Sequence, residues 1–541
     1  MIILLGSLVL YLLFKLQDRK PNHSIIKERF REELDELSRK QPRKEPTPHQ
    51  SLGPSIVPTI KAVAHDDALA LRKELEAARQ QAKLAEAERD QAKAEAEALR
   101  AKAKHSNQYT ETEDLKQAWQ LLVNSHDSLF ITGKAGTGKT TLLKRFIKES
   151  GQKNLVVTAY MGIAALNVGG QTIHSLFKFP FDVLEEKNIP KDDSQKELYK
   201  KLEVLIIDEI SMVRVDMLEA IDLSLQWHRD SKAPFGGVRM LLFGDPFQLP
   251  PIAKKGAVTN CLASRYGGKF FFHAKSFGRL NPRCLELKTI FRQANDERLI
   301  SILNNIRSNQ VTEDDMHLLN TRHDPLAEPD PNDDKTTICA YKKEVARINT
   351  GCLERLDSPE KTYKAQIVDW NTKAGKNNEN WTDPPAATDL KLKVGAKIMM
   401  LKNDPDGRWV NGTLGIVSKL SDKDIHVKID GIAHQIGRVT WENTEAFYDR
   451  KKNEITKRVT GSFSQFPVAL AWSFTIHKSQ GQTLKRVRID LGIGAFEVGQ
   501  VYTALSRCTS MDGLFLNRKI NKSDIIFAAE VEKFTREWLK N

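Results

Sequence analysis

The chain has 541 residues, with 83 Lys and Arg against 70 Asp and Glu and a formal charge of +13. That length rules out one ordinary domain and predicts about three or four compact units plus tails, while the cation excess suits a polyanion bound without reading its sequence. Five scattered cysteines, Cys261, Cys284, Cys339, Cys352 and Cys508, include no C-x-x-C pair, which argues against a disulfide framework or a zinc module and for a reducing compartment.

Residues 1–17 are apolar from Ile2 to Leu16, at the short limit for a bilayer crossing, which takes about 17–25 residues. They lack the basic start and small-residue cleavage site of a secretory signal. Residues 2–16 are therefore a candidate membrane anchor. Lys15, Arg19 and Lys20 would hold the rest on the cytoplasmic face; a misplaced start and a buried apolar end are the alternatives. Residues 18–65 are charged and then proline-rich, the composition of a linker. Over 66–105 an Ala, Glu, Lys and Arg composition, with Leu71, Leu75, Ala78, Ala82 and Ala85 at alternating four and three spacing, predicts a long helix. Its alanine seam, interrupted by Arg89, suits a solvated helix or a weak coiled coil that self-associates through 66–104.

From about Thr110 onward, short apolar runs alternate with helical stretches, the pattern of parallel-sheet α/β domains. The run Ser128–Thr132 leads into GKAGTGKT, Gly133 to Thr140, and then into a helical stretch beginning at Thr141. Gly133, Gly136 and Gly138 let the loop turn tightly, so that backbone N–H groups of Lys134, Ala135, Thr137 and their neighbours can face phosphates in front of a helix N-terminus. Lys139 is placed to reach the β and γ oxygens, and Thr140 to hold Mg²⁺. A second run, Val204–Ile207, ends in Asp208-Glu209, where Asp208 would order the same Mg²⁺ and Glu209 polarise the attacking water. A third run ends in Gly244, Asp245 and Gln248, and Gln248 is suited to sensing the γ-phosphate.

Seven segments in order, GKAGTGKT, GIAALNVGGQTIHS, LIIDEISM, FGDPFQLPP, KTIFRQ, HKSQGQT and YTALSR, resemble superfamily 1B helicases of the PIF (petite integration frequency) family, related to the RecD and Dda helicases. The resemblance covers about 110 to 520. It implies an α/β fold of two RecA-like P-loop domains, the first over 110–285 and the second over 286–413 and 466–541, with a small β-barrel inserted at 414–465. It also implies an ATP- and Mg²⁺-dependent helicase that moves 5′ to 3′ on single-stranded and forked duplex DNA, in repair, recombination or telomere and genome maintenance. Arg292 and Arg507 match the family's arginine fingers, and Gln117, with Gln120 as a competitor, its adenine-reading glutamine.

For the DNA track the family pattern points to Thr158, Thr172, His174 and Ser175, and to Asn411, Thr475, His477, Lys478 and Ser479 farther along. His174 is alternatively a packed histidine. Phe177, with Phe179, would stack on a base or separate strands, or else belong to the core. Two pairs depart from the family: Tyr160-Met161, in place of proline and threonine, and Tyr341-Lys342, in place of threonine and asparagine. The apolar end and stalk motivate a rival reading, a membrane-tethered nucleotide switch that binds or remodels DNA without unwinding it.

Overall fold

The computed structural model describes residues 111–539 except 181, 192–194, 254–255, 327, 369–383, 450–451 and 453. The apolar segment 1–17, the linker 18–65 and the helix expected over 66–105, with the membrane and self-association expectations they carry, lie outside the described residues. Among the described residues no helix is long and apolar enough to cross a membrane.

Helix α1 (Glu113–Asn124) buries Leu115, Ala118 and Leu122, spaced three and four apart as one helical face requires. It is followed by β1 (Leu129–Gly133), α2 (Lys139–Glu149), β2 (Leu155–Ala159), β3 (Gln171–Thr172) and α3 (Ile173–Phe177). Then come β4 (Val204–Asp208), α4 (Val215–Arg229), β5 (Arg239–Phe243) and β6 (Arg283–Leu287). The six strands form one sheet in the order β3-β2-β4-β5-β1-β6, parallel at every pair. Both β1 and β4 are buried along their whole length, which explains why LFITG and VLIID are apolar without alternation. Because β4, β5 and β1 are neighbours, their carboxyl ends deliver Asp208, Gly244–Gln248 and the P-loop to one edge, where ligands collect.

The second half opens with β7 (Thr336–Cys339) and α5 (Lys342–Glu354), then β8 (Lys361–Lys364), β9 (Gln366–Val368), β10 (Asp389–Leu392) and β11 (Lys397–Met400). Next come β12 (Leu414–Leu420), β13 (Asp424–Ile429), β14 (Ile432–Gly437), β15 (Val439–Asp449), β16 (Glu454–Gln465) and β17 (Val468–Leu470). The chain ends through β18 (Ser473–Thr475), β19 (Val487–Asp490), α6 (Gln500–Leu505), β20 (Leu514–Leu516) and α7 (Ala529–Trp538). A second parallel sheet has the order β18-β7-β19-β20.

Across 414–465, where a small β-barrel is expected, the hydrogen bonds give two open sheets. Strands β12 to β14 continue an antiparallel sheet of order β14-β13-β12-β11-β17, while β15 and β16 form a long hairpin flanked by β9. The hairpin reaches back to the first half of the chain. Its buried Glu445 pairs with Lys178, accepts from Gln195 Nε2 at 3.1 Å and meets Arg458 at 2.9 Å. Burial alone would raise the Glu445 pKa, but Lys178 and Arg458 outweigh it and hold the carboxyl below its usual range. Ala446 joins the hydrophobic core around Phe130 and Leu205.

Helix α7 also crosses over. The segment 466–541, expected as the completion of the second domain, ends by packing Phe534 into the first. Its ring stacks on Phe272 at 4.3 Å and meets Phe130, Phe271 and Phe277 within 5.9 Å. Removing it leaves a cavity that its neighbours fill only in part, so Phe534→Ala should cost about 3–5 kcal/mol of first-domain stability. Thermal unfolding of the variant measures this; an unshifted transition would mean that α7 merely lies on the surface.

Candidate functional site

The P-loop begins where β1 ends. Gly136 and Gly138 both have φ +84, in the left-handed region, and a Cβ on Gly136 would come 2.6 Å from Arg292 Cβ, so glycine is required by conformation and by space. Lys139 opens α2. Its Nζ donates to Gly133 O at 2.6 Å and Lys134 O at 3.0 Å, and burial lowers its pKa. Thr137 is buried, its hydroxyl donating to Lys134 O at 2.9 Å, whereas Thr140 and Thr141 are exposed at the helix start. A half-buried ammonium at a helix N-terminus is an arrangement that an anion completes.

Asp208 closes β4, and its Oδ1 accepts the Glu209 N–H at 3.0 Å. Burial first and the Glu209 charge second push Asp208 up to about 7. Burial likewise raises Glu209, against the pull of Lys139 and Arg507. Glu209 also sits at φ +51, a left-handed conformation that costs a side-chain-bearing residue about 1–2 kcal/mol. The buried Asp208 carboxylate beside Glu209 suits a divalent cation near the P-loop. Such an ion would neutralise phosphate charge there.

Opposite stand two arginines from later in the chain. Arg507 is fully buried: Nε donates to Thr503 O at 3.0 Å, Nη2 to Ser506 Oγ at 2.8 Å and Nη1 to Ser479 O at 3.4 Å. Arg292 donates from Nε to Thr483 Oγ1 at 2.9 Å and from Nη1 to Ser506 O at 3.0 Å. Burial, then Arg507 beside it, bring Arg292 down to about 9. Two neighbouring guanidiniums repel, an arrangement that suits an anionic ligand. Gln248 is buried too, with Nε2 3.4 Å from Asp245 Oδ2.

Sequence reasoning missed the residue that joins the two sides. Tyr502, on α6 ahead of Arg507, accepts the Ala135 N–H at 3.1 Å and donates to Asp245 Oδ2 at 3.1 Å. One hydroxyl thus ties the P-loop to the helix leading to Arg507; its only signal in the sequence is its place in YTALSR. Tyr502→Phe keeps the ring and deletes the tie. A hydrogen bond to a charged partner contributes enough that kcat for ATP hydrolysis should fall about ten-fold or more, with KM for ATP little changed because the phosphates stay on the P-loop. Steady-state kinetics decide it, and an unaltered kcat would make the bridge incidental.

The track residues separate into two groups. Thr158 is fully buried and its hydroxyl donates to Ile206 O at 2.8 Å, so it is a sheet residue and not a strand contact. Phe177 is core, stacked on Phe179 at 5.2 Å and Tyr199 at 5.4 Å, which removes both from stacking or strand separation. Ser479 is fully buried, donating to Ile476 O at 2.7 Å; its backbone serves Arg507 instead. Thr172 caps α3 by accepting the Ser175 N–H at 3.1 Å, and Thr475 accepts the Lys478 N–H at 3.2 Å. His174 lies edge-on to Tyr160 at 5.9 Å, and burial, with Arg214 nearby, lowers its pKa to about 4. His477 is also lowered by burial and Lys342, while Lys478 is exposed. Asn411 donates from Nδ2 to Asn167 Oδ1 at 2.7 Å, spanning the two halves of the chain. Gln117 and Gln120 are both exposed on α1, whose Asp114 accepts N–H groups of Lys288 and Thr289 just ahead of Arg292.

Known proteins resemble the whole described body. The family described as PIF1-like helicase matches residues 112–314, and the one described as DNA helicase Pif1, 2B domain matches 382–420. An ATP-dependent DNA helicase Pif1 of Bdellovibrio bacteriovorus is 32% identical over 404 residues, 73% of this chain and 85% of that protein. The crystal structure of a Bacteroides sp. Pif1 in complex with ADP-AlF4 superposes with a TM-score of 0.71 at 39% identity, covering 79% of this chain and 97% of that one. Bacteroides Pif1 bound to single-stranded DNA, 40% identical over the same shares of the two chains, gives 0.58.

Proposed function

The chain belongs to the PIF1-like helicase family, and from that premise we infer that it is an ATP-dependent DNA helicase whose partners are single-stranded and forked DNA. We read Lys139 and the P-loop amides as the phosphate cradle, Thr140 and Asp208 as the Mg²⁺ donors, and Glu209 as the group that orients water. Arg292 and Arg507 act as the charges that stabilise the transferring phosphoryl group. The five-stranded sheet and the separate β15-β16 hairpin are read as the family's accessory insertion, in keeping with the 2B-domain match at 382–420.

The observation that carries this reading is the split of the site. Lys139, Asp208 and Glu209 lie on the first sheet's edge, while Arg507 comes through α6 from the second, and Tyr502 holds the two together. Charges on one body that complete chemistry on another convert each hydrolysis cycle into relative motion. His477 and Lys478 on the second body, with His174 and Ser175 on the first, are proposed to grip phosphate and sugar without reading bases.

Duplexes with a single 5′ or 3′ tail test the polarity as well as the activity. We expect strand separation with ATP and Mg²⁺ on the 5′-tailed substrate alone. Opening of the 3′-tailed duplex would reverse the direction, and hydrolysis without opening of either would leave a nucleotide switch.

A further inference from the structure

In the second sheet three strands finish in one row, Thr475 and Asp490 each pairing with Cys339 across β18, β7 and β19. The residues that follow, Ile476–Lys478, Ala340–Lys342 and Leu491–Glu497, are therefore neighbours at a carboxyl edge of the kind that receives ligands. Tyr341 stands at the start of α5, where its side chain makes no cap hydrogen bond. Its hydroxyl instead donates to Gly494 O at 3.1 Å, and its ring lies 5.1 Å from that of Phe496. Gly492, at φ +56, passes so close that a Cβ there would come 2.9 Å from the Tyr341 ring. The loop is shaped around the tyrosine.

Tyr341 is half-buried and packs against the second core, and Phe496 beside it stands at the surface. Phe496 is 41% exposed and Ile493, in the same loop, 96% exposed. Such side chains clustered in one loop mark a contact surface more than scattered exposure does. The charges around it are cationic: Lys342, Lys343 and Lys478 are exposed. Of the nearby acids, Glu497 pairs with Lys269 at 3.0 Å and Glu344 with Arg347 at 2.7 Å, while Asp490 is buried and accepts the Gly492 N–H at 2.8 Å. An exposed ring beside lysines that pair with no acid among the described residues complements a ligand with apolar faces on an anionic backbone, and single-stranded DNA has both.

We propose that Tyr341 and Phe496 form a stacking platform for a base of the single strand, with Lys342 and Lys478 on the flanking phosphates. This rests on the helicase reading and adds to it a contact with the bases themselves, at the position where Tyr341-Lys342 departs from the family's threonine and asparagine. Every base has a π-face, so the platform grips without selecting sequence.

Fluorescence anisotropy with two labelled strands of equal length tests it, one of deoxythymidine and one whose central sugars carry no base. Both keep the phosphates. Tyr341→Ala and Phe496→Ala should each bind the thymidine strand about ten-fold more weakly and the abasic strand as wild type does. Tyr341→Phe, which retains the ring, should bind both nearly normally, and Lys342→Ala should weaken both alike. Wild-type affinity of the alanine variants for thymidine overturns the platform, as does an equal loss on both strands. Failure of the wild-type protein to bind either strand would instead overturn the helicase reading.

Discussion

Lys139→Ala is expected to lower strand-stimulated ATP hydrolysis by about 10³-fold, the scale of removing a preorganised charge from the reacting oxygens. The Lys139 side chain is half-buried, and among the described residues its ammonium bonds the carbonyls of its own loop, Gly133 O and Lys134 O. Held that way its charge is disfavoured, and on the proposed reading phosphate oxygens would supply the partner. Alanine leaves Gly136 and Gly138 in place, so the backbone turn survives while the charge is gone. Glu209→Gln tests the same site from the acid side: the amide fits the same space at φ +51 but no longer carries the negative charge that orients water. Steady-state hydrolysis with and without a DNA strand measures both. Turnover near the wild-type rate in either variant would dissolve the assignment of that residue.

Arg507→Ala should cost about 10³-fold or more in kcat, the range of an arginine that stabilises the phosphoryl transition state, while nucleotide affinity falls far less. The asymmetry follows from position. Arg507 is held by Thr503, Ser506 and Ser479 on its own body, and the P-loop that binds nucleotide belongs to the other. Removing it therefore leaves the phosphate cradle intact and withdraws only the charge that completes it. Arg507→Lys distinguishes charge from geometry, because a lysine keeps the charge but lacks the planar fork that bonds three acceptors at once. If Arg507→Ala weakened nucleotide binding as much as it slowed turnover, the arginine would be an ordinary binding residue. A double variant with Tyr502→Phe adds a second check: if the tyrosine acts by placing Arg507, its effect should vanish once the arginine is gone.

The two ends of this site were legible to different degrees. The P-loop was read correctly as a turn because Gly136 and Gly138 require φ +84 and nothing distant is needed to know it. Asp208 was equally legible, since an apolar strand ending in a carboxylate is a local pattern. Thr158 and Ser479 differ from expectation, and Phe177 takes the core alternative, for one common reason. Each lies in a motif that borders the track, but sequence order does not reveal which face of the chain is turned outward. Packing turned all three inward, against Ile206, Tyr199 and Ile476 respectively. Tyr502 was passed over for the opposite reason: its partners are Ala135 and Asp245, more than 250 positions away, and no local pattern announces a bridge of that length.

By itself the sequence determined the α/β class, the glycine turn ahead of Lys139 and the apolar strand that ends in Asp208. These follow from backbone requirements and short apolar periods, which act over a few residues. Only the tertiary structure decided that α7 returns to the first body through Phe534, that the strands of 414–465 divide between two sheets with the β15-β16 hairpin leaning on Lys178, and that Tyr341 packs beside an exposed Phe496. Those outcomes depend on which buried surfaces fit together, and that fit is set jointly by residues far apart in the chain.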